Sequence, residues 1–410
     1  MADATAYRFN PADPELVRDP YPIYRRLQQD AGLHWAAGNY WVASRYGDVR
    51  EVLSNPTFGQ GEFVRNIQLF YPEDFDVMAQ PAFRWLSEVF LMQDPPHHTR
   101  LRKLVTHALT PKRIADLQPR IEFITQQLLA RVLPRQQMEV LKDFAYQLPT
   151  LVMCDMLGVE EEDRTPERMT ALTRAIADAF IVFETRALTP AEMSLANSQM
   201  EFLYEYFGAV FDRRAADPRG DLTSALAVPA EDGDRLSRRE LITVVIAMFG
   251  AGFETTAHMI GNGLLTLHRH PAQWRKLVAD PMLAANVVEE VLRFESSLQA
   301  SYRTALAPTQ VLGKPVQEGE RVLCLVGAAN RDREVFKSPD EFDIRRKDIR
   351  MLSFGGGIHH CVGQQLARLE GRVAFAALAR TLPTMVIDTA APQWRPGFLF
   401  RGLKELQAYW

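Results

Sequence analysis

Cysteine is scarce in this chain: three in 410 residues, at Cys154, Cys324 and Cys361. They are far apart and odd in number, which argues against a disulfide framework and suits a reducing compartment. No second cysteine lies within zinc-knuckle distance of Cys361, so a structural zinc site is disfavoured. Long apolar runs are missing too. No stretch of ~18 apolar residues occurs, so no membrane-spanning helix is expected. The opening residues, MADATAYRFNPADPEL, have neither a basic n-region nor an apolar h-region and do not read as a signal peptide. Neither sign of charge dominates: 47 Lys and Arg stand against 51 Asp and Glu, a formal net charge of -4. Bulk charge therefore gives no reason to expect nucleic-acid binding. There is no internal repeat and no low-complexity linker. These absences suit a cytoplasmic, membrane-free protein.

What is present centres on residues 352–368, LSFGGGIHHCVGQQLAR. Phe354, Gly355, Gly357, His359, Cys361 and Gly363 form the run F-G-x-G-x-H-x-C-x-G. Beyond Gly363 the apolar residues recur at helical spacing through Leu366, Ala367, Leu369 and Val373. A glycine-rich loop thus delivers Cys361 to a helix N-terminus, where free N–H groups and partial positive charge stabilise a thiolate. A Walker-type phosphate loop is excluded, because no Gly-Lys-Ser/Thr follows the glycines. The bland alternative is a buried structural cysteine after a flexible loop. Cys154 and Cys324, set in the runs VMCDML and VLCLVG, read as core.

Three other stretches carry chemistry. In DPPHHTRLRKLVTHAL (94–109), Asp94 can cap a helix. His98 and Arg102, four apart, share one face suited to a carboxylate. A long helix is expected from Ser237, whose capping box is completed by Glu240, to Pro271. It is apolar nearly all round and hence buried, yet Ala251-Gly252-Phe253-Glu254-Thr255-Thr256 places an acid, two hydroxyls and a glycine in its middle. A buried charge needs a partner or a purpose. Further on, Glu290 and Arg293 lie i, i+3 on a helix. Residues 297–330 alternate as short strands. Residues 58–93 read as a long aromatic loop, either a packed lid or a binding loop.

These motifs resemble those of the cytochrome P-450 family, over about residues 13–407. The resemblance implies a mainly α fold with small β-sheets and a long central helix over heme, as a single catalytic domain across 1–410. It implies noncovalent heme b with Cys361 as axial thiolate ligand and metal site. Phe354 would shield the sulfur, and Gly363 would let the next helix pack on the ring. His98, Arg102, Arg303 and His359 would reach propionates. Ala251 and Gly252 would make room for dioxygen, and Glu254 and Thr255 would deliver protons. Glu290 and Arg293 would be a structural pair, with Arg345 or Arg346 as third partner because Glu341 fills its commonest slot. Phe83, Trp85, Phe90, Phe180, Met248, Leu298, Phe398 and Leu399 would border a small-molecule pocket.

The implied reaction is insertion of one oxygen atom from dioxygen into an apolar substrate, such as a polyketide-type secondary metabolite. The protein would be a monomer fed by a ferredoxin and its reductase, which would dock at Arg100, Lys103, Lys112 and Arg368. The alternatives are a peroxide-driven heme oxygenase and a non-catalytic heme-binding or recruitment protein.

Overall fold

The computed structural model describes residues 9–29, 33–36, 38–184, 186–230 and 232–410. Helices dominate and the sheets are small, as the sequence leads one to expect. The chain divides into two compact units. One comprises Met1–Phe58, Gln118–Pro149 and Glu254–Trp410; the other comprises Gly59–Leu117 and Thr150–Phe253.

The first unit contains the main sheet. Strands Leu33–Ala36 and Tyr40–Ala43 form an antiparallel hairpin with Leu33 opposite Ala43. Its turn is made by Gly38 and Asn39, the latter at φ 56, a left-handed conformation that asparagine tolerates. Tyr40–Ala43 pairs in parallel with Arg321–Cys324. That strand pairs antiparallel with Ser301–Ala305, setting Arg303 opposite Val322. The period of two then sorts side chains between faces. Ala43, Val322 and Cys324 join one buried cluster, and Val42 and Leu323 join another. Cys324 is therefore core, as expected.

Three helices of this unit meet at a glycine. A Cβ on Gly371, in Gln364–Thr381, would press on Met259 at 2.7 Å and on Val288 at 2.8 Å. Only a bare backbone lets the helices approach so closely.

In the second unit, helix Pro190–Ala216 starts with a complete capping box between Thr189 and Glu192, which is why the chain breaks at Thr189-Pro190. The segment 58–93 is not a loop. It folds as Phe63–Gln68, Val77–Ala79, Pro81–Glu88 and Phe90–Met92. Pro81 opens the third of these, which buries Ala82, Phe83, Trp85 and Leu86. Helices this short carry too few turns to show a sustained period in sequence. Asp94 does not cap the helix His97–Ala108, whose N-cap is Pro96. The Asp94 carboxylate instead accepts from the backbone N–H of Gln60 at 2.8 Å and of Gly61 at 2.9 Å.

The long helix runs Arg238–Arg269, 32 residues and so ~48 Å. Its capping box forms as expected: Ser237 N–H donates to Glu240 at 2.7 Å, and Glu240 N–H to Ser237 Oγ at 3.2 Å. Among the described residues it is the one helix long and apolar enough to cross a bilayer, with a mean hydropathy of 1.4; 72% of that stretch is buried in the protein. This is how a core helix behaves. The residues on either side of the motif are mostly buried, but Ala251, Gly252, Glu254 and Thr255 all reach the surface. The polar motif therefore coincides with the least buried stretch of the middle of the helix.

Candidate active site

Cys361 sits three residues before the first residue of helix Gln364–Thr381, whose N-cap is Gly363. The loop is closed by its own backbone. Cys361 N–H donates to Phe354 O at 2.9 Å, Gly355 N–H to Leu352 O at 2.8 Å, and His360 N–H to Gly357 O at 3.1 Å. Gly355 and Gly357 take φ of 73 and 62, the left-handed region glycine occupies without strain. A Cβ on Gly357 would also collide with the Leu53 carbonyl oxygen. A Cβ on Gly363 would stand 4.0 Å from the Cys361 sulfur. The Arg368 guanidinium lies 4.4 Å from the centre of the Phe354 ring.

The three cysteines differ in kind. Cys154 and Cys324 are enclosed, and burial pushes each thiol up to about 12. Cys361 alone is partly exposed. Among the described residues no cluster of three or more His, Cys, Asp or Glu side chains is placed to hold a metal. A single sulfur at a helix N-terminus, with glycines beside it, fits a planar iron porphyrin held through one protein ligand.

Glu290 and Arg293, both 0% exposed, pair at 2.7 Å. The Arg293 fork also donates to the carbonyls of Asn330 at 3.1 Å, Pro339 at 2.9 Å and Glu341 at 3.1 Å. Of the two arginines expected as third partner, Arg346 fills the role. Its Nε is 3.1 Å from both Glu290 oxygens, and it also bonds the carbonyls of Lys337, Ser338 and Glu341. Glu341 thus contributes through its backbone, so its side chain does not matter there.

Asn330 passes this order to the cysteine loop. Its Oδ1 accepts from Leu352 N–H at 2.7 Å, and its amide donates to Ser353 Oγ at 2.8 Å. Ser353 in turn donates to Leu292 O at 2.6 Å. The buried pair and the loop are therefore one hydrogen-bonded assembly.

Glu254, on the long helix, is partly exposed and pairs with Arg395 at 2.9 Å. Arg303, on the main sheet, is buried and donates to Ser301 Oγ at 3.0 Å and Tyr302 O at 2.8 Å. His359 is buried in the short turn Gly357–His359. Leu298 bridges to Phe400. Phe398 meets Phe9 edge-on at 5.9 Å and, with Leu399, leans on the N-terminal cluster.

The second unit holds the other candidates. His98 is buried, with the Phe90 ring 6.3 Å away. Burial, reinforced by Arg102 one turn along, pushes the His98 imidazole below its ordinary value. Phe83 and Trp85 are wholly enclosed. Trp85 donates to Thr243 O at 3.4 Å and packs on Phe180 at 4.9 Å. The Phe180 ring fills the space where a Cβ on Gly250 would stand, and Met153 lies 2.7 Å from the same position on Gly252. Met248 is buried on the long helix.

The model of the family described as cytochrome P450 matches residues 52–386. The chain belongs to the cytochrome P450 family. It is similar to a vitamin D(3) 25-hydroxylase of Pseudonocardia autotrophica, at 35% identity over 95% of this chain and 93% of that one. It is also similar to the P450 monooxygenase PikC of Streptomyces venezuelae, at 35% identity over 97% and 92%. The solved structure of CalO2 matches with a TM-score of 0.89 at 32% identity, covering 98% of both chains. The enzyme class is that of a cytochrome P450 monooxygenase.

The P450 motifs left some neighbours unnoticed. His258, four residues after Glu254, was readable as sharing its helix face. Tyr146 and Arg395 come from distant segments and carry no local signal. The expected basic docking patch changes as well. Arg100 is taken up by Asp234 at 3.0 Å and Glu240 at 2.5 Å, Lys103 by Asp232 at 2.6 Å, Lys112 by Asp116 at 3.2 Å and Arg368 by Glu289 at 2.6 Å. Each of the four cations has an acidic partner in its own chain; only Lys112–Asp116, four apart, was readable from spacing. An opening lined by Pro95, Pro96, Thr99, Arg100, Lys103 and Asp234 carries both signs of charge.

Proposed function

We propose that the chain is one catalytic domain over residues 1–410 that holds heme b through the Cys361 thiolate and oxygenates an apolar small molecule. The observation that carries this reading is the treatment of Cys361. It is the one accessible thiol of the three, set at a helix N-terminus in a loop that a fully buried ion pair holds in place. When bound, the heme supplies activation of dioxygen, one atom of which enters the substrate while the other leaves as water with two electrons and two protons. The chain's own residues bind and position. Arg303 and His359 in the first unit, and His98 and Arg102 in the second, are the donors suited to propionates. Gly363 keeps bulk away from the sulfur. Ala251 and Gly252 bring the helix backbone close beside the acid and hydroxyl, with Met153 packed against Gly252. Glu254 brings protons in from solvent, and the Thr255 hydroxyl holds the water that receives them.

Two relatives of equal identity are named for different chemistry, one for vitamin D(3) and one simply as a monooxygenase. Similarity therefore leaves the substrate open. We assign it to secondary metabolites such as polyketides, because a polyketide biosynthesis cytochrome P450 of Bacillus subtilis is 31% identical over 97% of both chains. Two electrons must arrive one at a time, and we assign their delivery to a ferredoxin with its reductase.

The test is the carbon monoxide difference spectrum of the reduced protein. Wild type should give the strongly red-shifted Soret band of thiolate ligation, and Cys361→Ser should lose it. A band at the position of a histidine-ligated heme in wild type would overturn the reading.

A further inference from the structure

Glu254 does not stand alone in the first unit. Arg395 Nη1 lies 2.9 Å from Glu254 Oε1 and donates to the Tyr146 hydroxyl at 2.8 Å. That hydroxyl is 3.2 Å from His258 Nε2, and His258 stands one helical turn beyond Glu254 on the same face. We propose that Arg395, aimed by Tyr146 and His258, is a positioning residue that fixes the Glu254 carboxylate for proton delivery. The proposal rests on the reading of Glu254 given above.

One guanidinium nitrogen serves both partners, so where the phenol sits decides where the carboxylate is held. The donor directions follow from the chemistry of the groups. Arginine can only donate, so Tyr146 accepts from it. The Tyr146 hydroxyl then has its own proton to give to His258 Nε2.

None of the three can itself carry protons near neutral pH. A guanidinium does not deprotonate in proteins. Burial pushes the Tyr146 phenol up, with Arg395 only partly offsetting it. Burial pushes His258 down to about 3, and Arg395 adds to the effect. The charged groups around this set are Arg395, Glu254 and, beside Tyr146, Glu139. Arg395, Tyr146 and His258 therefore form a mount of fixed protonation around the Glu254 carboxylate. Its side chain is 24% exposed, and that of Arg395 is 38%.

The backbone braces the mount. Arg395 N–H donates to Gly402 O at 2.9 Å, and a Cβ on Gly402 would collide with the His258 ring. One turn further along the helix, Asn262 donates to Arg401 O at 2.9 Å. The segment that presents Arg395 is thus seated on the helix that carries Glu254. A partly exposed ion pair adds little stability by itself, yet the buried His258 and the part-buried Tyr146 are committed to aiming this one.

The experiment uses the heme-loaded protein with a surrogate reduced ferredoxin and dioxygen, in wild type and in Glu254→Gln, Arg395→Met, Arg395→Lys and Tyr146→Phe. With two electrons and two protons dioxygen leaves as hydrogen peroxide; with four of each it leaves as two waters. Poor proton delivery raises the share leaving as peroxide. A second readout needs no turnover: the isotope-edited infrared carboxylate band of Glu254 in the ferric protein, identified by its loss in Glu254→Gln.

Arg395→Met and Tyr146→Phe should both shift that band. They should raise the peroxide-to-water ratio about tenfold, short of the ~100-fold a 1 Å misplacement can cost. Arg395→Lys should restore part of each. If Glu254→Gln raises peroxide but Arg395→Met and Tyr146→Phe leave band and ratio as in wild type, the mount is overturned while the reading of Glu254 stands. If Glu254→Gln leaves the ratio unchanged, the reading of Glu254 falls and the proposal with it.

Discussion

Replacing Arg293 by alanine should cost more stability than any other single change in the assembly behind the cysteine loop. The guanidinium is 0% exposed and donates to Glu290 twice, at 2.7 and 2.8 Å, and to three backbone carbonyls. Removing one partner of a buried pair costs ~3–5 kcal/mol, because the other charge is left behind. Here Glu290 keeps Arg346 and the Asp343 N–H at 3.0 Å. The loss should therefore sit near the lower bound, ~3 kcal/mol, against a total of ~5–15 kcal/mol. Arg346→Ala leaves the inner pair intact and should cost less. Arg293→Lys keeps the charge but cannot fork to the carbonyls, so it should fall between the two.

Urea unfolding of the ferric protein reads these losses as shifts in midpoint at unchanged slope. The red-shifted carbon monoxide band should weaken in the same order, because Asn330 carries the order to Leu352 and Ser353. An Arg293→Ala protein that unfolds within ~0.5 kcal/mol of wild type, the scatter of neutral surface changes, would refute the argument. So would one that is destabilised yet keeps its full band.

Two further outcomes follow from particular contacts. Asp48 is buried, and burial raises its carboxyl from 3.8 to about 6, with Arg45 opposing. The folded state thus holds this proton more tightly than the unfolded chain. Its stabilising share is complete below 3.8 and is lost as pH rises through about 6. Asp48→Asn should therefore gain stability over wild type across that window and level off above it, by at most ~3 kcal/mol; urea midpoints flat in pH for both proteins would contradict this. Gly402→Ala forces a methyl onto the buried His258 ring and should cost ~1–3 kcal/mol, the usual effect of overpacking. A melting temperature equal to wild type would show that the ring can step aside.

The parts of the molecule that announced themselves in sequence are those whose reasons are local. The capping box at Ser237 and Glu240, the turn at Gly38-Asn39 and the helix after Gly363 each depend on residues within a few positions of one another. Glu290 and Arg293 were visible because one helical turn joins them. Their third partner was not settled, since Arg345 and Arg346 are adjacent and only the tertiary fold decides which turns inward. The segment 58–93 reads as a loop because its helices are too short to establish a period; Phe83, Trp85 and Phe90 are enclosed, whereas Phe70 is 42% exposed. Asp94 had the residue type of a cap, but backbone N–H groups at Gln60 and Gly61, more than thirty positions away, compete for its carboxylate. The acidic partners of Arg100 and Lys103 are hidden from the sequence for a similar reason: Asp232, Asp234 and Glu240 approach from a remote segment.

The acids of the first unit show why position rather than residue type singles out the one we propose to move protons. Glu290 is enclosed and saturated by Arg293, Arg346 and a backbone N–H, so its charge is locked into holding structure. Glu370 is just as deeply buried, one of its oxygens has no partner among the described residues, and burial holds its carboxyl well above the usual range. It stays protonated and has no route to exchange. Asp48 is also sealed away, behind the sheet cluster. Glu254 differs from all three. It stands on the least buried stretch of the middle of the long helix, next to a threonine and two residues from a glycine, and it is held by a cation that itself reaches solvent. A group that must take protons from water and pass them inward needs one exposed side and one fixed side. Of these four acids only Glu254 has both.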